Sequence, residues 1–267
     1  MAKRIKKDNK NIVFLKDSFK KFIDQQLENY KFIYITSDLR GFLNEYNILK
    51  VEKICKLIID ELLKKKLTIL VPAYSYTSQG KFIVEKTKSN LSYFTKWCLN
   101  HKNSFRTYHP IFSFCVIGKN WREFEKISKS AYGKGSVWDI LLKNKTSLLH
   151  FGRPFSLGNT SIHFVEFNSK AKYRFNKTFR TKVFRKKEYI GRNFSAYVQK
   201  KKFNGKKIEF DAKKISKLIK KKVFYKKIGS DKNFTNITHI DFKEGYDFMM
   251  KNFKKNNQIF IKEKNDT

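Results

Sequence analysis

The chain has 267 residues, 40% of them hydrophobic and 16% aromatic, which is enough apolar material for a folded core and excludes a disordered basic tail. Lysine and arginine number 60 against 23 acidic residues, a formal charge of +37 that attracts anions such as nucleic acid, anionic lipid or phosphorylated ligands and resists polycations. No stretch approaches the ~20 apolar residues of a bilayer span. The apolar run Ile12 to Leu15 in the basic N-terminus is too short for a signal peptide, so no transmembrane segment is expected and the expected compartment is the cytoplasm.

In chain order, residues 1–10 are expected to fray, and Asp17 to Leu27 has the spacing of a short amphipathic helix. Lys31 to Thr36 (KFIYIT) has the composition of a strand, left through a loop from Ser37 to Gly41. Between Asn47 and Lys65 apolar residues including Ile54, Cys55, Ile58, Ile59 and Leu62 recur at helical spacing. Thr68 to Val71 follows as a short buried strand stopped by Pro72. Strand–helix–strand is the pattern an α/β sheet produces. Ser113 to Ile117 predicts a third strand ending at Gly118, and Trp121 to Lys129 predicts a helix. Ala131 to Ser136 is a glycine-bearing turn that leads into a short helix over Val137 to Leu142, with Ser136 as N-cap. Ser147 to Phe151 reads as a strand, and Gly158 to His163 supplies caps for a helix start. The last third alternates basic strands with a helix near Ala212–Lys221, then a helix in EGYDFMMKNFKKN and a terminal strand in QIFIKE. No repeat or Gly/Pro/Ser linker divides the chain, so one domain over residues 1–267 is expected.

Five histidines occur: His101, His109, His150, His163 and His239. His163 precedes Glu166 by three residues, and on a helix the two share a face. A carboxylate there fixes the tautomer and raises the basicity of a general base; the same spacing also suits a pair that only packs a loop. His150 lies in an apolar strand and reads as a core residue. The HxxE spacing can ligate metal, but no third ligand lies nearby in sequence and no metal is expected. Cys55, Cys98 and Cys115 lack CxxC spacing and read as reduced, buried small hydrophobes. Gly133-Lys134-Gly135-Ser136 is too short for a Walker loop, and no GxGxxG follows a strand. Such a turn is either simply tight or holds a phosphate or pantetheine amide through backbone N–H groups. The lysines are spread along the chain, without an arginine-rich arm, zinc-finger spacing or RNP-type motif. No nucleic-acid partner is therefore expected, and a basic nucleic-acid-binding protein on an enzyme-like fold is the rival from another class.

Three segments taken together carry a resemblance: YHPIFSFCVIG from Tyr108 to Gly118, AYGKGSVWDIL from Ala131 to Leu141, and LLHFGRPFSLGNTSIHFVE from Leu148 to Glu166. In this order and at these separations they resemble the antibiotic N-acetyltransferases, the aminoglycoside 3-N-acetyltransferase family. The first segment, with Arg106 just before it, matches at Arg106, His109, Pro110, Ser113, Phe114 and Gly118, and the second at Gly133, Gly135 and Ser136. The third matches at Gly152, Asn159, Thr160, Ser161, His163 and Glu166. Upstream, YITSDLRGF and TILVPAYSYT resemble the family's first strand with its serine loop and the strand that ends in a proline. The chain departs from the pattern in three places. Thr36 stands where members commonly have a histidine, Ala73 replaces a threonine after Pro72, and Lys86 to Phe105 is short.

The resemblance implies an α/β fold with a central mixed sheet flanked by helices, antibiotic N-acetyltransferase-like and not GNAT. It implies transfer of an acetyl group from acetyl-CoA, as co-substrate, to an amino group of a small-molecule amino sugar. His163 is then the general base, Glu166 its orienting carboxylate, and Thr160 the neighbour of the acetyl carbonyl. Ser37, Tyr74, Ser75, His109, Gly133, Gly135 and Ser136 are expected to line the coenzyme. With no cysteine among the matched positions of these motifs, direct transfer between two bound substrates is expected in place of an acyl-enzyme. The charge bears on the acceptor: aminoglycosides are polycations, so an anionic nucleotide-linked amino sugar used in surface polysaccharide synthesis is the first expectation. Aminoglycoside 3-N-acetylation conferring antibiotic resistance is the alternative, and a homo-oligomer is compatible with either.

Overall fold

Six consecutive buried residues, Phe32 to Ser37, form the centre of the fold. Burial on both faces is the signature of an inner strand of an α/β sheet. The computed structural model describes residues 2–155, 159–220, 222, 224–230, 232–233 and 235–264. Helix α1 (Ala2–Gln26) precedes the central strand β1 (Phe32–Ser37). Then come α2 (Arg40–Glu45), α3 (Val51–Lys64), β2 (Thr68–Pro72), β3 (Lys81–Ile83), α4 (Tyr93–Leu99), β4 (Ser104–Arg106) and β5 (Phe114–Ile117). A 3-10 turn (Trp121–Phe124) leads to α5 (Val137–Leu142), β6 (Thr146–Phe151) and α6 (Ser161–Asn168). The remainder is β7 (Arg174–Phe179), β8 (Lys182–Arg185), β9 (Glu188–Gly191), β10 (Phe194–Gln199), β11 (Lys202–Phe203), β12 (Lys206–Phe210), α7 (Ala212–Ile219), β13 (Tyr225–Ile228), β14 (Ile237–Asp241), α8 (Phe242–Lys255) and β15 (Ile261–Glu263).

The main sheet has seven strands in the order β13-β14-β6-β1-β2-β5-β4. β1 pairs in parallel with β2 and with β6, whereas the pairs outside this trio are antiparallel, so the sheet is mixed as expected. Alternation along β1 separates two layers. Ile33 and Ile35 pack into a cluster with Phe19 of α1, Ile54 and Ile58 of α3 and Phe94 of α4. Phe32 and Tyr34 pack on the other face with Trp138 of α5, Ile162 of α6 and Phe242 of α8. Three small sheets, β7-β10, β3-β8-β9 and β11-β12-β15, extend from this frame.

Several boundaries differ from the sequence expectation, each for a local reason. The first ten residues, expected to fray, continue α1 back to Ala2, in keeping with the strong helix propensity of Ala, Lys and Arg. Arg40 and Gly41 open α2 and do not stay in a loop. That helix closes at Asn47, left-handed at φ 49°, with the Ile48 N–H on the Leu43 carbonyl at 3.0 Å, so the long helix begins only at Val51. The helix expected over Trp121 to Lys129 is a four-residue 3-10 turn, because the Ser128 N–H bonds the Gly135 carbonyl at 2.8 Å and leaves the helical ladder. Ser136 caps α5 as predicted, accepting from the Asp139 N–H at 3.3 Å. α7 ends at Ile219; Lys221, like Gly158 of the third motif, lies outside the described residues. Gly118 has φ 134°, and a Cβ there would sit 2.8 Å from the Thr68 Cα, so only glycine lets the chain leave β5 beside β2.

Candidate active site

The chain leaves β1 toward β2 on one side and later returns as β6 on the other, so strand order reverses at β1. In open α/β sheets the crevice outside the carboxyl ends of the strands at such a point is where ligands bind. A pocket of about 160 Å³ lies there, lined by Tyr34, Thr36, Ser37, Tyr74, Arg153 and Thr160, among others. It is small beside the ~300–1,000 Å³ of sites that enclose a whole drug-sized ligand, and so suits one end of a long one. Among the described residues the Tyr34, Tyr74 and Ser37 hydroxyls are buried without a hydrogen bond of normal geometry. Leaving such a group unpaired costs about 1–3 kcal/mol, and a ligand with amide and carbonyl groups relieves it. Burial pushes the Tyr34, Tyr74 and Tyr132 hydroxyls well up, so all three stay protonated as donors. These residues fit the polar, uncharged pantetheine arm and thioester of acetyl-CoA.

Helix α6 begins where Asn159 Oδ1 accepts from the Ser161 N–H at 3.1 Å and from the Ser161 hydroxyl. Asn159 thereby does the capping, and Thr160, whose hydroxyl is not spent on the cap, lines the pocket. One turn on, the predicted pair forms: His163 Nδ1 lies 2.7 Å from Glu166 Oε2. Glu166 is fully buried and has two further partners, the Tyr173 hydroxyl on Oε1 at 2.9 Å and Arg174 Nε beside Oε2 at 2.6 Å. Arg174 Nη2 also lies 2.8 Å from His163 Nδ1, and Nη1 donates to the Tyr197 carbonyl at 2.9 Å. Burial would raise the Glu166 carboxyl, but His163, Arg174 and Tyr173 outweigh it and hold it below the usual carboxylate range. Burial lowers His163, Arg174 lowers it further, and Glu166 opposes both. The His163 side chain keeps 27% of its surface exposed, and among the described residues nothing bonds its Nε2. A neutral imidazole with one nitrogen held by a carboxylate and the other open can take a proton from a substrate.

The other residues expected at the coenzyme divide. Ser37 and Tyr74 line the pocket with Thr160. Ser75 is turned aside, its hydroxyl donating to the Pro110 carbonyl at 2.8 Å. His109 is 1% exposed: its Nδ1 accepts the Ile111 and Phe112 N–H groups at 3.2 and 3.1 Å, and its Nε2 lies 3.2 Å from the Ser195 carbonyl. Both nitrogens are committed, so His109 ties its loop to β10 from a second layer, behind the Phe112 ring that packs on Tyr74 and Tyr132. In the glycine turn every relevant N–H is used internally. Gly133 bonds Ser130 Oγ at 3.0 Å, Gly135 bonds Asp139 Oδ2 at 2.7 Å, and Ser136 bonds the Gly133 carbonyl at 3.0 Å. The turn is tight for its own sake and carries Tyr132 into the core, where its ring lies 6.4 Å from that of His163.

Arg106, from the first motif, is likewise structural. Its guanidinium donates to the carbonyls of Ala73 at 2.7 Å, of Thr87 and of Val84, fixing the short segment Lys86 to Phe105 against β2. His150 is in the core as expected, its Nδ1 2.8 Å from Thr36 Oγ1. The three cysteines are free and buried, with the Cys55 and Cys115 thiols pushed up to about 12 by burial and Cys98 raised well above its ordinary value, so no thiolate nucleophile forms. The sequence reading missed Arg174, Tyr34 and Tyr132. Tyr132 stood inside a quoted motif, but nothing in the sequence marks Arg174 as the partner of a buried glutamate eight residues earlier.

Among the described residues no group of three His, Cys, Asp or Glu side chains gathers as a metal site, and no helix is long and apolar enough to cross a membrane. No curated protein matches the chain by sequence. Solved structures match by fold. Aminoglycoside acetyltransferase AAC(3)-IVa, as apoenzyme, is 14% identical with a TM-score of 0.68, over 92% of this chain and 90% of that one. The YokD protein from Bacillus subtilis is 15% identical with a TM-score of 0.66, over 90% of this chain and 99% of its own. AAC-IIIb bound to CoASH is 12% identical with a TM-score of 0.69, over 90% and 96%. The family model described as aminoglycoside 3-N-acetyltransferase matches residues 60–253, a span that contains all three motifs and the His163–Glu166 pair. With that match across most of its length, the chain belongs to the aminoglycoside 3-N-acetyltransferase family and is an acetyl-CoA-dependent N-acetyltransferase.

Proposed function

We propose that the protein, as one catalytic domain working in the cytoplasm, acetylates an amino group of an aminoglycoside-like amino sugar with His163 as general base. The observation that carries this reading is the pairing of His163 Nδ1 with buried Glu166 at 2.7 Å while Nε2 faces outward. The acceptor amine binds deprotonated or hydrogen-bonded to His163 Nε2, and its lone pair forms the C–N bond to the acetyl carbonyl as the C–S bond breaks. The proton leaving the amine goes to Nε2 and from there to the coenzyme thiolate. Acetyl-CoA supplies the activated acyl group. Thr160, at the start of α6, and the protonated Tyr34 and Tyr74 hydroxyls line the pocket and would donate to the carbonyl oxygen as its charge grows. Ser37 holds the coenzyme arm; Ser75, His109 and the Gly133–Ser136 turn support these groups from behind.

For the acceptor, the family description and the solved relatives bound to sisomicin and to a gentamicin favour an aminoglycoside. One observation favours a second reading, a nucleotide-linked amino sugar. Among the described residues the pocket lining carries Arg153 and no carboxylate, on a chain of net charge +37. A thiol-release assay with acetyl-CoA decides between them, run side by side on aminoglycosides, free amino sugars and nucleotide amino sugars. Turnover of aminoglycosides at least equal to the others supports the main reading, preferential turnover of nucleotide amino sugars supports the second, and no thiol release from any amine overturns both.

A further inference from the structure

We propose that Arg174 is a positioning residue that sets the basicity of His163. The proposal rests on His163 being the base and adds what keeps it free to act. Nδ1 is one atom with two suitors. Bearing a proton, it donates to Glu166 Oε2 at 2.7 Å and leaves Nε2 as the open base. Without one, it accepts from Arg174 Nη2 at 2.8 Å, and the proton sits on Nε2. A guanidinium cannot give up its charge or accept a hydrogen bond, so its position beside Nδ1 always opposes a second proton on the ring.

The sign of the effect follows from the charges that face His163. Glu166, on the same helix, is fully buried, and a carboxylate at this distance favours the protonated ring. Arg174, from β7, is itself only 5% exposed and lies 2.6 Å from the same carboxylate oxygen, so it offsets that pull where solvent screening is weak. Among the described residues, the rings that pack on His163 are those of a tyrosine and a phenylalanine. Tyr132, from the loop before α5, keeps its proton, and Phe210 of β12 packs its ring 6.3 Å from that of His163. Burial lowers the imidazole and Arg174 lowers it further. The same arrangement serves the second half of the reaction, because an imidazolium crowded by a cation passes its proton readily to the leaving thiolate.

Two measurements test this. In the wild-type protein, a pH titration of the His163 imidazole by NMR with labelled histidine is expected to give a midpoint below the ordinary value of about 6.5. A midpoint above 7 overturns the proposal, whatever the enzyme acetylates and whether or not any variant folds. In Arg174→Gln the acid limb of the kcat/KM profile is expected to move up by at least about one pH unit, costing about tenfold in rate at a pH below the new limb while the alkaline plateau is largely kept. Arg174→Lys, which keeps the charge, is expected to return the limb toward wild type. A folded Arg174→Gln enzyme with an unshifted limb would mean that Arg174 only neutralises a buried carboxylate. Loss of all acetyl transfer in the wild type, with a His163 midpoint still below 6.5, would sink the assigned activity and leave the role of Arg174 standing.

Discussion

Two histidines from the family-like motifs end in opposite states. His109 is shut in: two backbone N–H groups bond one nitrogen and a carbonyl lies at the other, and burial takes the ring down to about 4. His163 has one nitrogen held between Glu166 and Arg174, and the other opens outward from a side chain 27% exposed. A matching motif marks both residues alike. What separates them is where each ring nitrogen finds its partner.

The widest gap between the two is expected in rate. His163→Ala should lower acetyl-CoA-dependent thiol release by about 10²–10⁴-fold while coenzyme A binding, followed by calorimetry, stays largely intact. Near-wild-type turnover would remove His163 from its role and erase the contrast.

Acid stability should report the shut-in class as a group. His109 and His239 are depressed to about 4 and His150 to about 3, each chiefly by burial. Their folded values lie below the unfolded 6.5, so the unfolded chain binds the extra protons. Stability is therefore full above pH 6.5 and is lost as pH falls from there toward about 4 for His109 and His239 and about 3 for His150. Unfolding at pH 5 is expected to take up about three protons from these residues, measurable by calorimetry in buffers of different ionisation enthalpy. Uptake near zero would mean that these rings titrate in the fold.

A smaller effect is expected from His109→Ala. It should destabilise the fold by about 1–3 kcal/mol, since the Ile111 and Phe112 N–H groups lose their acceptor, and should reduce the proton uptake by about one. Its kcat per folded molecule should stay near wild type; a selective loss of kcat would bring His109 into the catalytic machinery. Smallest of all is Tyr34→Phe. Removing a buried hydroxyl without a hydrogen bond of normal geometry should leave stability within about 1 kcal/mol of wild type or raise it, while coenzyme A binds more weakly. A large fall in the thermal midpoint would show that this hydroxyl is already satisfied.

The legible part of the protein was local in origin. The periodicity of α3, the run of buried residues in β1 and the Ser136 cap of α5 are set by neighbours a few residues away, and each is found within a few residues of where its sequence puts it. The glycine turn was legible as a turn but not in its purpose, because the Ser130 and Asp139 groups that use up its N–H groups depend on how the turn closes. The short strands β7 to β12 mix buried, half-buried and exposed residues without clean alternation, so their pairings follow from contacts with distant segments, as when β3 joins β8 across the chain.

By itself the sequence pointed to an α/β protein with a particular set of motifs, and to a shared face for His163 and Glu166 if their segment turned helically. Only the tertiary structure decided the rest. It brought the carboxyl ends of β1 and β2 together into a pocket, buried the Tyr34 and Tyr74 hydroxyls beside it, closed both nitrogens of His109, and set Arg174 against the His163–Glu166 pair. The physical reason is common to all four. Basicity and availability come from what surrounds a group in a medium of low dielectric, and those surroundings arrive from strands and loops that are remote in sequence.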